Sequence, residues 1–269
     1  METPAPTELV LATREDLIAE AKSVIDAARS RGITLRLVGG LAVRFHCKSL
    51  DFCERNHSDI DVVGHRRDAN RIASLFALLG FAENIHVRMA TDGRQLQFTR
   101  ECRHGDGWAR CGQRQDDHVD VFLDTFKMEH ALDLADRLGL DDYTITVSDV
   151  LLTKLQMPSL EEKDVRDVFT LLHDLELGTV DNPGTIDVPY IARLGARDWG
   201  LFHDVKSNLA LLRRRLDAFA LEPAASDRVR AKLSRLEEAI EAEPKSRAWR
   251  LRAKIGNRWR WHDTVEEED

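Results

Sequence analysis

The sequence predicts an α/β protein with a mixed β-sheet flanked by helices, followed by a helical C-terminal region. Three observations predict it. An apolar run from Leu35 to Val38 ends in Gly39-Gly40 and passes into helical spacing; Ser58-Asp59-Ile60-Asp61-Val62-Val63 alternates carboxylates with branched apolar residues; and the last 80 residues are rich in helical pattern.

Taken in order, Arg14 to Ser30 carries Leu17, Ile18, Ala21, Val24, Ile25 and Ala28 at three-to-four spacing, with Thr13 as N-cap and Gly32 beyond its end. That is an amphipathic helix covering the sheet. Thr34 to Val38 reads as a strand, Leu41 to about Cys47 as the helix after the glycines, and Ile60 to Val63 as a second strand. Asp68 to Leu79 is helical and stops at Gly80. Ile85 to Ala90 and Gln95 to Thr99 flank Asp92-Gly93, the signal for a two-residue hairpin. The glycine-rich, polar stretch Glu101 to Gln115 reads as a loop, and His118-Val119-Asp120-Val121-Phe122 as a further strand. Ser148 is placed to cap a helix through Gln156 that Pro158 stops, and a second helix runs from about Leu160 to Leu175.

The domain organisation follows: a first domain over 1–177, a linker over 178–189 with two prolines and two glycines, and a helical C-terminal region over 190–269. Within that region Asp198 to Phe219, Ser226 to Glu243 and Ser246 to Trp261 read as helices. The segment 245–262 holds seven Lys or Arg and no acid. On helical spacing, Arg247, Arg250, Lys254 and Arg258 form one stripe and Leu251, Ile255 and Trp259 another.

The chemistry lies in the first half. In a strand, residues i and i+2 point the same way, so Asp59 and Asp61 project from one face while Ile60 and Val62 enter the core. Hard divalent cations take oxygen ligands, and a pair of them about 3.5–4 Å apart clamps the attacking and leaving oxygens of a phosphoryl displacement. A tight glycine turn opening a helix presents backbone N–H groups and a positive dipole end to phosphate. Together these features suit a nucleoside triphosphate. Asp120, in its short β-rich run, is a further candidate carboxylate, with Asp116, Asp117 and Asp124 as alternatives.

Gly39-Gly40, the spacer and the hydrophobic-Asp-hydrophobic-Asp-hydrophobic run resemble the signature of the polymerase-beta-like nucleotidyltransferase superfamily. The spacer of eighteen residues between Gly40 and Asp59 is long, and Gly40 stands where many members have Ser. Gly39-Gly40-Leu41-Ala42, Lys154 and Lys163-Asp164-Val165-Arg166-Asp167 are similar to the AbiEii-type toxins and related minimal enzymes. The resemblance covers roughly residues 33 to 175. It implies the nucleotidyltransferase fold and transfer of a nucleotidyl group from a triphosphate to an acceptor hydroxyl, with pyrophosphate released. It also implies catalytic Asp59, Asp61, Asp120 and Lys154, and metal ligation by Asp59, Asp61 and Asp120 of two Mg²⁺ ions, with Mn²⁺ as a substitute. Gly39, Gly40, Ser58, Lys154, Lys163, Asp164 and Asp167 would contact the nucleotide. On residues alone, Lys154 reads as lying on the polar flank of its helix, and Asp164 and Asp167 as a surface ion pair with Lys163.

Composition bounds the partners. A chain of 269 residues with 43% hydrophobic content holds a sizeable core, and a net charge of −8 confines nucleic-acid binding to a local patch. No apolar run reaches membrane-spanning length, and Met1 to Thr7 lacks the features of a signal peptide, so the cytoplasm is expected. Cys47, Cys53, Cys102 and Cys111 in a chain this long make no disulfide scaffold and are expected as thiols in a reducing compartment, and Cys102, His104 and Cys111 do not match a zinc-ligand spacing. Arginines interleaved with Trp249, Trp259 and Trp261 suit single-stranded nucleic acid and favour RNA; the resemblance to the AbiEii-type enzymes implies an RNA acceptor, tRNA in particular, and a toxin-like role with a cognate antitoxin. A small-molecule hydroxyl of the aminoglycoside kind is the alternative acceptor. A non-catalytic binding or regulatory protein on the same fold is the competing class, against which the retained Asp59 and Asp61 argue, since like charges are costly to keep together.

Overall fold

The computed structural model describes residues 14–47, 59–104, 107–110, 118–219 and 221–256, with backbone alone at 14–16, 101–104 and 107–110. The chain is a mixed α/β protein. Helix α1 (Arg14–Arg29) buries the stripe read from its spacing, from Leu17 to Ala28, and leads into β1 (Leu35–Leu37). Helix α2 (Gly39–His46) starts at the two glycines, and β2 (Ile60–Gly64) returns antiparallel to β1, with Leu37 opposite Val62. Helix α3 (Ala69–Leu78) is followed by Gly80, β3 (Phe81–Glu83) and helix α4 (Ile85–Ala90). Next come β4 (Gln95–His104), β5 (Gly107–Arg110) and β6 (His118–Leu123).

The main sheet runs β1-β2-β6-β4-β3, with β5 folded back on the far half of β4. Strands β2 and β6 are parallel and all other neighbours antiparallel. The parallel pair decides the site, because its register sets Asp61 directly beside Asp120. Across the next pairing Asp120 stands opposite Gln97 on β4. A single row of polar side chains therefore crosses three strands.

The expected hairpin at Asp92-Gly93 is not formed. Asn84 caps α4, its side-chain oxygen accepting from His86 N–H at 3.3 Å, and β4 pairs instead with β3. Asp92 (φ 50°) and Gly93 (φ 66°) do adopt the left-handed conformations of a two-residue turn, but they close a helix: Gly93 N–H donates to Arg88 C=O at 2.8 Å. Ile85 and Met89, four apart, are both exposed, so their spacing is helical and carries no inward alternation. The stretch expected as a loop from Glu101 begins instead as the β4–β5 hairpin, and residues 111–117 lie outside the described ones.

Past two short strands, β7 (Thr125–Lys127) and β8 (Ala131–Asp133), come α5 (Val147–Leu155) and α6 (Glu162–Asp174). The cap of α5 is Thr146, which accepts from Asp149 N–H at 3.2 Å, rather than Ser148. Ser148 Oγ instead accepts from Asp187 N–H at 2.7 Å and donates to Asp181. The 178–189 stretch holds the end of β9 (Glu176–Gly178), the parallel strand β10 (Thr185–Asp187) and the start of α7 (Val188–Arg197). Helix α7 has a readable start, since Asp187 caps it through Tyr190 N–H at 2.9 Å and Pro189 occupies its first turn. Helices α8 (Trp199–Arg215), α9 (Pro223–Ala242) and α10 (Arg247–Ile255) complete the C-terminal region. One apolar cluster runs from α1 through the sheet to Leu233 and Ile240 of α9. Among the described residues no helix is long and apolar enough to cross a membrane.

Candidate functional site

The strand face read from Asp59 and Asp61 is realised, with Ile60 and Val62 buried on the opposite face. Asp61 also accounts for the first glycine. Gly39 has φ +70°, and a Cβ there would lie 2.6 Å from Asp61 Oδ2, so backbone conformation and close approach both demand glycine. Val38 N–H donates to Asp61 C=O at 2.9 Å, pinning the turn to β2. The opening of α2 and the carboxylates are therefore in direct contact. Gly40 is the next residue of that helix, half-buried. Ser58 lies outside the described residues.

Electrostatically the group is under strain. Burial pushes the Asp61 carboxyl up to about 7, and repulsion from Asp120 and Asp59 adds to it, while His118 and Lys154 pull the other way. Among the described residues Asp59 Oδ1 is buried with no hydrogen-bond partner. Asp120 is well supplied by contrast: Oδ2 meets His118 Nε2 at 2.9 Å, and Oδ1 accepts from Gln95 Nε2 at 3.1 Å and Gln97 Nε2 at 3.2 Å. Asp124, one of the alternatives, has positive φ beyond β6 and accepts from Arg66 N–H at 3.1 Å, away from this row. Asp116 and Asp117 lie outside the described residues.

Lys154 departs from its expected place. Every residue of α5 is buried, so the helix has no polar flank, and Lys154 Nζ sits 3.0 Å from Asp164 Oδ1 and 2.9 Å from Asp167 Oδ2, both buried on α6. Burial works against the ammonium, and Asp167 and Asp164 outweigh it, holding its pKa above the ordinary lysine value. The surface ion pair expected of Asp164 and Asp167 with Lys163 is thus a buried triad with Lys154. Lys163 is exposed and pairs with Glu161 at 2.8 Å.

His118, Gln95, Gln97 and Arg44 were not read as site residues. The first three had a usable signal: His118 is two residues before Asp120 on one strand, and the glutamines alternate with buried Leu96 and Phe98. Arg44 stands one turn beyond Gly40 on α2. Its Nε is buried without a hydrogen-bond partner, and helical side chains lean toward the N-terminus, which aims Arg44 back over Gly40.

The donor set fits a hard divalent cation. Asp59 Oδ1 lacks a partner, and Asp61 is crowded by two like charges that a cation would relieve. Among the described residues no three His, Cys, Asp or Glu side chains form a ready-made metal cage. A separate cleft of about 450 Å³ lies between Phe45 and His46 of α2 and the 139–143 loop, and no expected site residue lines it.

On α10 both stripes face outward. Arg247, Arg250 and Lys254 are exposed, as are Leu251 and Ile255, while Trp249 packs edge-on against Phe202 and Arg252 lies over Trp199. Arg258, Trp259 and Trp261 lie outside the described residues, as do Cys53 and Cys111; the side chains of Cys102 and His104 are likewise not described.

No known family model and no curated protein matches the sequence. Among solved structures the chain has a likeness to the lincosamide antibiotic adenylyltransferase LnuA with lincomycin bound, at 14% identity over 60% of this chain and 97% of that one, TM-score 0.39. It has another to the antibiotic-resistance factor ANT(2'')-Ia, at 12% identity over 77% and 100%, TM-score 0.36. At these scores neither speaks to what this chain binds.

Proposed function

We propose that the protein is a nucleotidyltransferase of the polymerase-beta-like superfamily, moving a nucleotidyl group from a nucleoside triphosphate to an acceptor hydroxyl. One observation carries this reading: the register that sets Asp61 beside Asp120, with Gly39 pressed against Asp61 at the opening of α2. The opening turn of α2 and the two carboxylates thereby meet at one point.

In this reading the first N–H groups of α2 and Arg44 bind the triphosphate, and Lys154 serves from within the buried triad by lowering the charge cost around Asp61. Asp59, Asp61 and Asp120 would hold Mg²⁺, or Mn²⁺ in its place, which when bound supplies charge neutralisation and polarisation of the α-phosphate. Asp120 takes the proton of the acceptor hydroxyl. The hydroxyl oxygen forms a bond to the α-phosphorus as the bond from that phosphorus to the bridging oxygen breaks, and pyrophosphate leaves.

The acceptor is proposed to be RNA, tRNA in particular. The supporting observation is the exposed row Arg247, Arg250 and Lys254 on α10, beside exposed Leu251 and Ile255. A toxin-like enzyme of the AbiEii type with a cognate antitoxin is the corresponding cellular role, supported by the Gly39-Gly40-Leu41-Ala42 opening and the long spacer. The test is incubation of the protein with each α-labelled nucleoside triphosphate, Mg²⁺ and either total RNA or a panel of hydroxylated small molecules. Label on RNA is the expected result. Label on a small molecule alone reassigns the acceptor, and label on neither contradicts the activity.

A further inference from the structure

We propose that Gln95 and Gln97 are positioning residues for Asp120, occupying one carboxylate oxygen so that only the other is presented to the reaction; this rests on the nucleotidyl-transfer reading. A carboxylate oxygen has two lone pairs and only accepts. Asp120 Oδ1 takes Gln95 Nε2 at 3.1 Å and Gln97 Nε2 at 3.2 Å, which fills it. Oδ2 lies 2.9 Å from His118 Nε2 and is the oxygen left to the reaction. Asp120 therefore acts through Oδ2 alone.

The clamp is itself held. Gln97 Oε1 accepts from Asn84 Nδ2 at 2.8 Å, and Asn84 N–H donates to Gln97 C=O at 2.8 Å, so the amide cannot turn over without losing contacts at both ends. The strand cannot slip either, because Leu96 and Phe98 between and beyond the glutamines are core residues, and a one-residue shift would exchange faces. The choice of amide has a chemical logic. A lysine or arginine at 95 or 97 would form an ion pair and neutralise Asp120, whereas two neutral donors fix its direction and leave its charge for a cation or a proton.

The test replaces both glutamines with methionine, close in size and without a donor. Single-turnover transfer and triphosphate affinity with Mn²⁺ are measured in the wild type, Gln95→Met/Gln97→Met, Asp120→Asn, and the triple variant, with melting temperatures alongside. A slowing of about a hundredfold is expected of the double variant, with triphosphate affinity and melting temperature near wild type. No further slowing is expected in the Asp120→Asn background, because the clamp acts only through that carboxylate. If the double variant melts early, Gln95→Met alone decides, since among the described residues that side-chain amide holds Asp120 alone. Wild-type transfer without the amides, or an equal loss with and without the Asp120 carboxylate, overturns the assignment. A wild-type protein that transfers nothing overturns the functional reading and this inference with it.

Discussion

At the scale of single residues, the site was legible where strand alternation governs and illegible where helices pack. Asp59 and Asp61 could be assigned to one face because a strand offers only two, and Asp120 followed from the same rule. Lys154 could not be placed so, because the partners that fix it lie ten and thirteen residues on, in another helix, and a helix buried on all sides gives no amphipathic cue. The triad changes what a substitution should do. Lys154→Ala leaves two buried carboxylates facing each other and is expected to cost about 3–5 kcal/mol of stability, read from urea unfolding. Arg44→Gln should leave stability near wild type and raise the triphosphate Kd about tenfold, the worth of one charge-assisted hydrogen bond. A stable Lys154→Ala protein with weakened triphosphate binding would return the phosphate role to the lysine.

At the scale of elements, α8 and α10 start at the caps Asp198 and Ser246, while Thr146 displaces Ser148 on α5 and other failures came from cues with two uses. Asp92-Gly93 supplies two left-handed residues whether it turns a hairpin or closes a helix, and only Asn84 upstream tells which. Helix α7 had its Asp187 cap and Pro189, yet the prolines and glycines around it read as linker. That stretch is tied to α5 by a buried network: Arg137 meets Asp149 at 2.8 Å and Asp181 at 2.5 Å, and Tyr190 donates to Asp149 at 2.7 Å. Asp149→Ala should therefore destabilise the protein by about 1–3 kcal/mol, because Tyr190 and Arg137 each lose a partner while Arg137 keeps Asp181, measured by chemical unfolding. For α10, changing Arg247, Arg250 and Lys254 to Gln should weaken RNA binding and flatten its dependence on salt. The slope should fall by about 0.7 per lost phosphate contact on a single strand and about 0.9 on a duplex. An unchanged slope makes α10 a solvated face and favours a small hydroxylated acceptor.

At the scale of the whole molecule, the α/β class was legible because the sequence alternates strand and helix patterns, while the strand order and the β2–β6 register were not, since pairing partners about sixty residues apart leave no local signal. The resulting cluster trades stability for function. Folding raises the Asp61 pKa from its ordinary 3.8 to about 7, so its protonated form is favoured in the folded state. That contribution is present below about pH 4 and is lost as pH rises through 7. Without divalent cation the protein should melt lower at pH 8 than at pH 6 insofar as Asp61 decides it, and Asp61→Asn should melt higher than wild type at pH 8. The central claim is that these strand carboxylates hold a cation together with the triphosphate. It is tested most directly by titrating Mn²⁺, followed by electron paramagnetic resonance, into wild type and Asp61→Asn in the presence of a non-hydrolysable nucleoside triphosphate. Mn²⁺ uptake by the wild type should depend on the nucleotide and be lost in Asp61→Asn; equal uptake by the two proteins would contradict cation binding by these carboxylates.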